Sequence, residues 1–308
     1  KGKGTMKTRL LGTVFLAMWT GLVSAQARDL AACMPADSRV VARLDMEKLK
    51  GVPVIQRALD NESGKVATIT EQIRSWVGLD LKRVNTIWLA VQKEEHVVFV
   101  LDGLFDVEYI RSCLLNVETV RMVQRPQVPV AAMLPDDKHP GLFNLAAVLD
   151  DSTIVFGRPE LADQCIAALT GTASGLGAVA AERLAGLEAS GDMLHAVILG
   201  LGPEQLAKNP ILAHLQLGEF AANVNPDLLL RLAVSVKKPE MLESLRLMAE
   251  GLIGIYRDLD PAQRGDNVLK NTLIDNAVVA IEDERLLLQS QLPQALMNDV
   301  VEKHVYDN

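Results

Sequence analysis

The chain has 308 residues, 49% hydrophobic and only 4% aromatic, and its 31 Lys and Arg against 39 Asp and Glu give a formal charge of −8. An acidic chain with no basic run repels phosphate backbones and anionic lipid, which argues against nucleic acid and anionic membrane surfaces as partners. Scarce aromatic rings weigh against a glycan-processing groove, and the aliphatic remainder suits packed helices and sheets.

Residues 1–27 read as a leader plus a cleavable export signal. Met6 is the expected start, with Lys1 to Thr5 as an upstream extension. Lys7 and Arg9 supply a positive n-region, and Leu10 to Val23 runs fourteen residues without a charge. Ala25 and Ala27 then place small side chains at −3 and −1 of a cleavage site. Fourteen residues at about 1.5 Å rise span roughly 21 Å, short of a ~30 Å hydrocarbon core, so the segment predicts a signal and not an anchor. No later segment stays apolar long enough to cross a bilayer, so no stable membrane insertion is expected after cleavage. The expected location is periplasmic or secreted. Cleavage removes Lys1, Lys3, Lys7 and Arg9 and no acid, so the formal charge of −8 becomes −12 over the remaining chain, 28–308. Leu30-Ala31-Ala32-Cys33 has the outline of a lipobox, but Arg28 and Asp29 separate it from the apolar core, which argues against lipid anchoring at Cys33.

Short β-rich runs follow at Arg39–Leu44, Thr86–Val91, His96–Leu101, Asn144–Leu149 and Thr153–Phe156. Further runs lie at Leu194–Leu199, Leu228–Val234, Ala277–Ile281 and Leu286–Gln289. Asp150-Asp151-Ser152 and Glu282-Asp283-Glu284 read as hairpin turns. Helical periodicity appears in three places: Val66, Ile69, Ile73, Trp76 and Val77; Ile110, Cys113, Leu114 and Val117; and Met241, Leu245, Met248, Leu252 and Tyr256. Stripes of this kind are expected to be core, so Trp76 and Met248 are given no cofactor role. Pro159, Pro239 and Pro293 each stand where a strand hands over to a helix, a position that wastes no amide.

The chain also resembles itself. Val40-Val41 followed by Leu49 and Pro53 matches Val197-Ile198 followed by Leu206 and Pro210, at one offset of 157. Later the offset falls to 132–134, at Val107 over Pro239 and Pro159 over Pro293. A single shortening of about 25 residues in the second copy explains the step, with loss of the strand around Ile87 and its loop as the expected change. Gly171 to Gly177 and the Ala-rich stretch after it fit neither a dinucleotide fingerprint nor a P-loop, and read as a linker. The expected fold is therefore α+β, with two tandem related domains. Each would be a mainly antiparallel sheet with helices packed on one face, ferredoxin-like or a variant. Boundaries fall at 28–170 for the first repeat, 171–190 for the Gly/Ala-rich linker and 191–308 for the second, shorter repeat.

Reactive groups do not converge. No HExxH, GxSxG, CxxC or EF-hand loop occurs. His96, His139, His195, His214 and His304 are dispersed; His195 falls within a strand, and His214 is expected on a helix near Gln216 and Glu219. Asp136-Asp137-Lys138-His139 reads first as an exposed turn, because a metal site needs ligands from several segments. Asp150-Asp151 and Glu282-Asp283-Glu284 are tip residues, which lack the burial that acid–base work requires. Cys33, Cys113 and Cys165 make an odd count; Cys113 and Cys165 sit on apolar helix faces as small hydrophobes, and one disulfide is the alternative. No catalytic residue, cofactor, cofactor-binding residue or metal ligand is assigned.

The run Met34-Pro35-Ala36-Asp37-Ser38-Arg39-Val40-Val41 after a signal, with the strand and Pro-Glu-led helix of Leu230 to Glu240, resembles a broad group of uncharacterised exported bacterial proteins with duplicated α+β halves. The resemblance implies that fold in the cell envelope, and it carries no catalytic residues. The expected function is non-enzymatic, binding or scaffolding another envelope or secreted protein. Two alternatives stand beside it: a hydrolase whose site lies at the cleft between repeats, and a carrier of a small apolar ligand.

Overall fold

The computed structural model describes residues 30–60, 65–93, 96–134, 144–176, 182, 186, 191–201, 206–207 and 213–306. Ala25, Ala27 and the rest of the leader lie outside the described residues, as do Asp136 to His139 and most of 177–190. The account that follows concerns the unit from Ala31 onward.

Its centre is a sheet of strands β1 (Val40–Asp45), β2 (Val84–Lys93), β3 (His96–Gly103), β4 (Arg121–Met122), β5 (Val130–Met133), β6 (Leu145–Val148) and β7 (Thr153–Gly157). The sheet continues with β8 (Leu194–Ile198), β9 (Leu215–Val224), β10 (Leu228–Val236), β11 (Val278–Glu282) and β12 (Arg285–Leu292). All pair antiparallel in the order β11-β12-β10-β9-β8-β1-β2-β3-β7-β6-β5-β4. Two separate sheets were expected; the halves instead share one, joined where β1 pairs with β8 from Val40↔Ile198 to Leu44↔Leu194. The reason is the edge. Val41 and Val197 face each other across this seam, both fully buried, and an unpaired edge beside such residues would expose a row of backbone donors and acceptors.

Helices are α1 (Met46–Lys50), α2 (Pro53–Asp60), α3 (Lys65–Val77), α4 (Val107–Leu115), α5 (Pro159–Leu169), α6 (Leu242–Asp258), α7 (Pro261–Arg264), α8 (Val268–Asp275) and α9 (Gln294–Tyr306). Local chemistry sets their starts. Asp45 caps α1 by accepting from the Lys48 amide at 3.1 Å, Asp106 caps α4 by accepting from the Tyr109 amide at 2.9 Å, and Pro159 opens α5.

Directly paired residues share a sheet face, so the register shows what each face meets. In the first half the row Leu44, Ile87, Leu101, Ile154, Val148 and Val130 packs with Met46, Ile110 and Leu114 in one core. Burying each such aliphatic side chain is worth about 1.5–3 kcal/mol before entropy is counted. On the opposite face the row Trp88, Val100, Val155 and Ala147 is equally dry, and α5 packs there against β3 and β7. Helices therefore cover both faces of the first half, where one covered face was expected.

The strand around Ile87 was expected to lack a counterpart. In the structure β9 stands beside β8 as β2 stands beside β1. The connections between those strands differ in length: the span 46–83 joins β1 to β2, and 199–214 joins β8 to β9. The sequence reading missed β9 because Gly218, Ala221, Ala222 and Asn223 lack the β-branched signature. His214, placed on a helix by sequence, lies in a short 3-10 turn that leads into β9, whereas Gln216 and Glu219 belong to that strand.

Candidate functional site

Three surfaces of the second half carry features that packing alone does not explain. The first is an apolar groove of about 440 Å³ over β8, β9 and β10. Ile198, Gly218 and Val234 form one row of its floor, and Leu206, Leu217 and Leu232 extend the apolar lining. Gly218 opens the floor, since a Cβ there would already touch the Ile198 side chain at 3.3 Å. In the first half, α1 and α3 pack on the same sheet face, with Met46, Leu49, Ile73 and Val77 in its core. Gln216 and Lys237 are polar groups of the lining, and the Lys237 ammonium donates to the Ala213 carbonyl at 2.8 Å.

The second surface is α6. Leu242 and Leu245 bury against Val236 and Leu286, and the helix packs on β11 and β12. Leu247, Met248, Leu252 and Ile255 are 55, 40, 61 and 65% exposed. The sequence stripe through Met248 and Leu252 was expected to be core, so these two of its five residues are reassigned to the surface. At 100° per residue the apolar positions of α6 span far more of its circumference than a sheet can cover. That excess width was the available signal, and Leu247 and Ile255 were overlooked because they lie off the single stripe. Trp76, also expected in the core, is 41% exposed on α3. Next to α6 lies β11, hydrogen-bonded to β12 on one side and standing at the sheet edge, with Val278 exposed.

The third surface is the opposite sheet face. The row through Trp88 and Arg43 continues as His195, Ala221, Arg231 and Gln289, so an apolar row turns polar across the seam. α9 follows β12 as α5 follows β7, yet it packs on α2 and α3 instead. Met297 joins a cluster with Val52, Val54 and Met193. This face carries charge pairs: Arg43 with Asp45 at 3.4 Å and Arg285 with Glu219 at 2.8 Å. His195 is 5% exposed, 3.8 Å from the Asp192 carboxylate. Burial pushes its imidazole pKa down, against the opposing pull of Asp192 and Glu219. The charged groups acting on His195 are Asp192, Glu219, Arg231 and Arg43.

The other candidate residues fall into structural roles. The Ser152 amide and hydroxyl both donate to Asp150 Oδ1, at 2.9 and 2.8 Å, closing the β6–β7 turn. Asp283 and Glu284 form the two-residue β11–β12 turn with φ of 47° and 58°. Among the described residues no group of three or more His, Cys, Asp or Glu is placed to hold a metal ion, and no helix is long and apolar enough to cross a membrane.

No protein-family model matches the sequence, and no curated protein does. Solved structures do. Crystal form IV of TP0453 superposes with a TM-score of 0.51 at 10% sequence identity, over 88% of this chain and 95% of that one. Crystal form I gives 0.50 at 10% identity over 91% and 99%, and crystal form III gives 0.50 at 10% over 89% and 97%. Identity at that level speaks for the fold and nothing further. The chain is thus similar to TP0453 in its mixed α+β architecture, a large antiparallel sheet with peripheral helices.

Proposed function

We propose that this is an exported, non-catalytic protein that docks an extended apolar polypeptide segment of an envelope or secreted partner on β11 and the outer face of α6. The observation that carries the reading is the exposed set Leu247, Met248, Leu252 and Ile255 beside an open strand edge. The edge offers main-chain donors and acceptors to an added strand, and the helix offers apolar surface to its side chains. Export rests on the leader ending at Ala27, and the acidic chain supports a partner other than nucleic acid. The strand orders β1-β2-β3-β7-β6 and β8-β9-β10-β12-β11, read outward from the seam, support descent from a duplicated unit. A photo-crosslinking residue at Leu252 or at Val278 should yield the same protein adduct in envelope extract, lost on Ile255→Glu. A probe at exposed Glu108 of α4 should yield none. Adducts no different from that control, or adducts with lipid or a second copy alone, would remove this reading.

The apolar groove favours a second reading, a carrier of a small apolar ligand. Its volume lies within the range of small-molecule sites. Nile red should gain fluorescence with the native protein and lose most of that gain in Gly218→Leu, which fills the floor; an unchanged signal in the variant excludes the groove.

A further inference from the structure

Cys33, Cys113 and Cys165 are reduced thiols in the structure, and the fold brings two of them to one place. Residues 31–38 form a turn in which the Met34 amide donates to the Ala31 carbonyl at 3.3 Å. The Ser38 hydroxyl donates to the Pro35 carbonyl at 2.6 Å. Ala31 and Met34 are fully buried, so this turn is packed into the molecule. It meets α5 and the chain that follows α5. The Thr172 and Ala173 amides both donate to the Ala167 carbonyl, at 2.8 and 3.1 Å, folding the chain back over the last turn of the helix. Gly175 then passes so close that a Cβ there would collide with the Ala32 carbonyl oxygen and stand 3.0 Å from that of Met34. Pro35 and Asp37 share a cleft with Asp163 and Gln164 of α5. Cys33 sits in this turn, partly exposed, and Cys165 sits in α5, fully buried. Burial pushes the Cys165 thiol well up, and the charge of Cys33 adds to that push. Cys113 belongs to α4, whose Ile110 and Leu114 pack on the opposite sheet face, so the sheet separates it from Cys165.

We propose that Cys33 and Cys165 form a disulfide that pins the N-terminal turn to α5. The oxidant is a small-molecule disulfide such as oxidised glutathione, or the disulfide of a thiol oxidase. The more accessible Cys33 thiolate attacks it, forming a mixed disulfide and expelling one thiolate. Cys165 then loses its proton and attacks the Cys33 sulfur, expelling the second. Two protein thiols give up two protons and two electrons, and the oxidant becomes two thiols. The bond closes a long loop that takes in all of β1 to β7, which restricts the unfolded chain strongly. A lipid on Cys33 and this disulfide exclude each other, since each consumes the same sulfur.

The test uses the full chain, exported by a bacterial host through its own leader and then equilibrated with oxidised glutathione. Denaturation with an alkylating agent but no reductant should label Cys113 alone, and a Cys33–Cys165 peptide should appear in non-reduced digests. Reductant should expose three thiols and lower the melting midpoint by about 5–10 °C. Cys113→Ser should keep that redox-dependent shift. Cys33→Ser, in a partly exposed position that tolerates the change, should abolish it. Three labelled thiols without reductant, a lipid mass on Cys33, or a bridge involving Cys113 would each overturn the proposal.

Discussion

His195 shows how one position can read correctly in sequence and still carry a property that only its neighbours confer. A histidine inside an apolar strand is expected on a sheet face, and that is where it stands. Its titration is set by its folded surroundings: burial lowers its pKa, with nearby Asp192 and Glu219 of the neighbouring strand opposing. The sign follows. With a folded pKa below the unfolded value of about 6.5, the unfolded chain binds more protons in between, so stability rises with pH there. This contribution is intact above the unfolded value and is lost as pH falls through the folded one. Urea midpoints taken from pH 7.5 to 5 should therefore fall more steeply for the native protein than for His195→Gln. Equal slopes would show that His195 does not sense the burial described. The turn residues Asp283 and Glu284 make the same point more simply. Acids at a tip were legible as a turn, whereas the left-handed backbone at both positions follows from the twist of the hairpin they join.

At the scale of elements, α6 is where periodicity was right about structure and wrong about burial. Met241, Leu245, Met248, Leu252 and Tyr256 do predict a helix, and the helix spans Leu242–Asp258. Which of its apolar residues meet the sheet depends on how the helix rolls onto β11 and β12. Its far end is fixed by Arg257, which donates to the carbonyls of Ile274, Asp275 and Ala277. Leu252→Glu and Ile255→Glu should each change stability by no more than about 0.5 kcal/mol, since neither fills a core. Leu245→Ala should cost about 2–3 kcal/mol as a buried truncation. Chemical denaturation of the three variants decides this; a large loss at Leu252 would mean that its face is covered in the folded chain. β9 illustrates the opposite failure. Gly218 and the alanines carry little β propensity, and they form a strand because β8 and β10 supply partners on both sides.

For the whole molecule the seam matters most. Because β1 and β8 pair from Val40↔Ile198 to Leu44↔Leu194, with Val41 against Val197, the halves cannot open without breaking one continuous ladder. Calorimetry should show a single unfolding transition. Val197→Ala should lower its midpoint and should reduce hydrogen-exchange protection in β3 and β10 together. Two resolved transitions, with only one moved by the variant, would show that the halves fold independently. The seam also accounts for the unequal faces. Cover by α5 keeps Trp88, Val100 and Val155 dry, while α9 turns away to α2 and α3, and the continuing face carries charge pairs.

Sequence alone determined what local chemistry controls: the α+β class, most strand and helix positions, the hairpin turns at Asp150 and Asp283, and the prolines that open helices. Each depends on side-chain alternation or on backbone restrictions within a few residues. Tertiary structure alone decided that two sheets become one, that β8, β9 and β10 floor an apolar groove, and that Leu247 and Ile255 face outward. These outcomes depend on which distant strand satisfies an edge and how much chain is available to cover a face, quantities that no local window of the sequence contains.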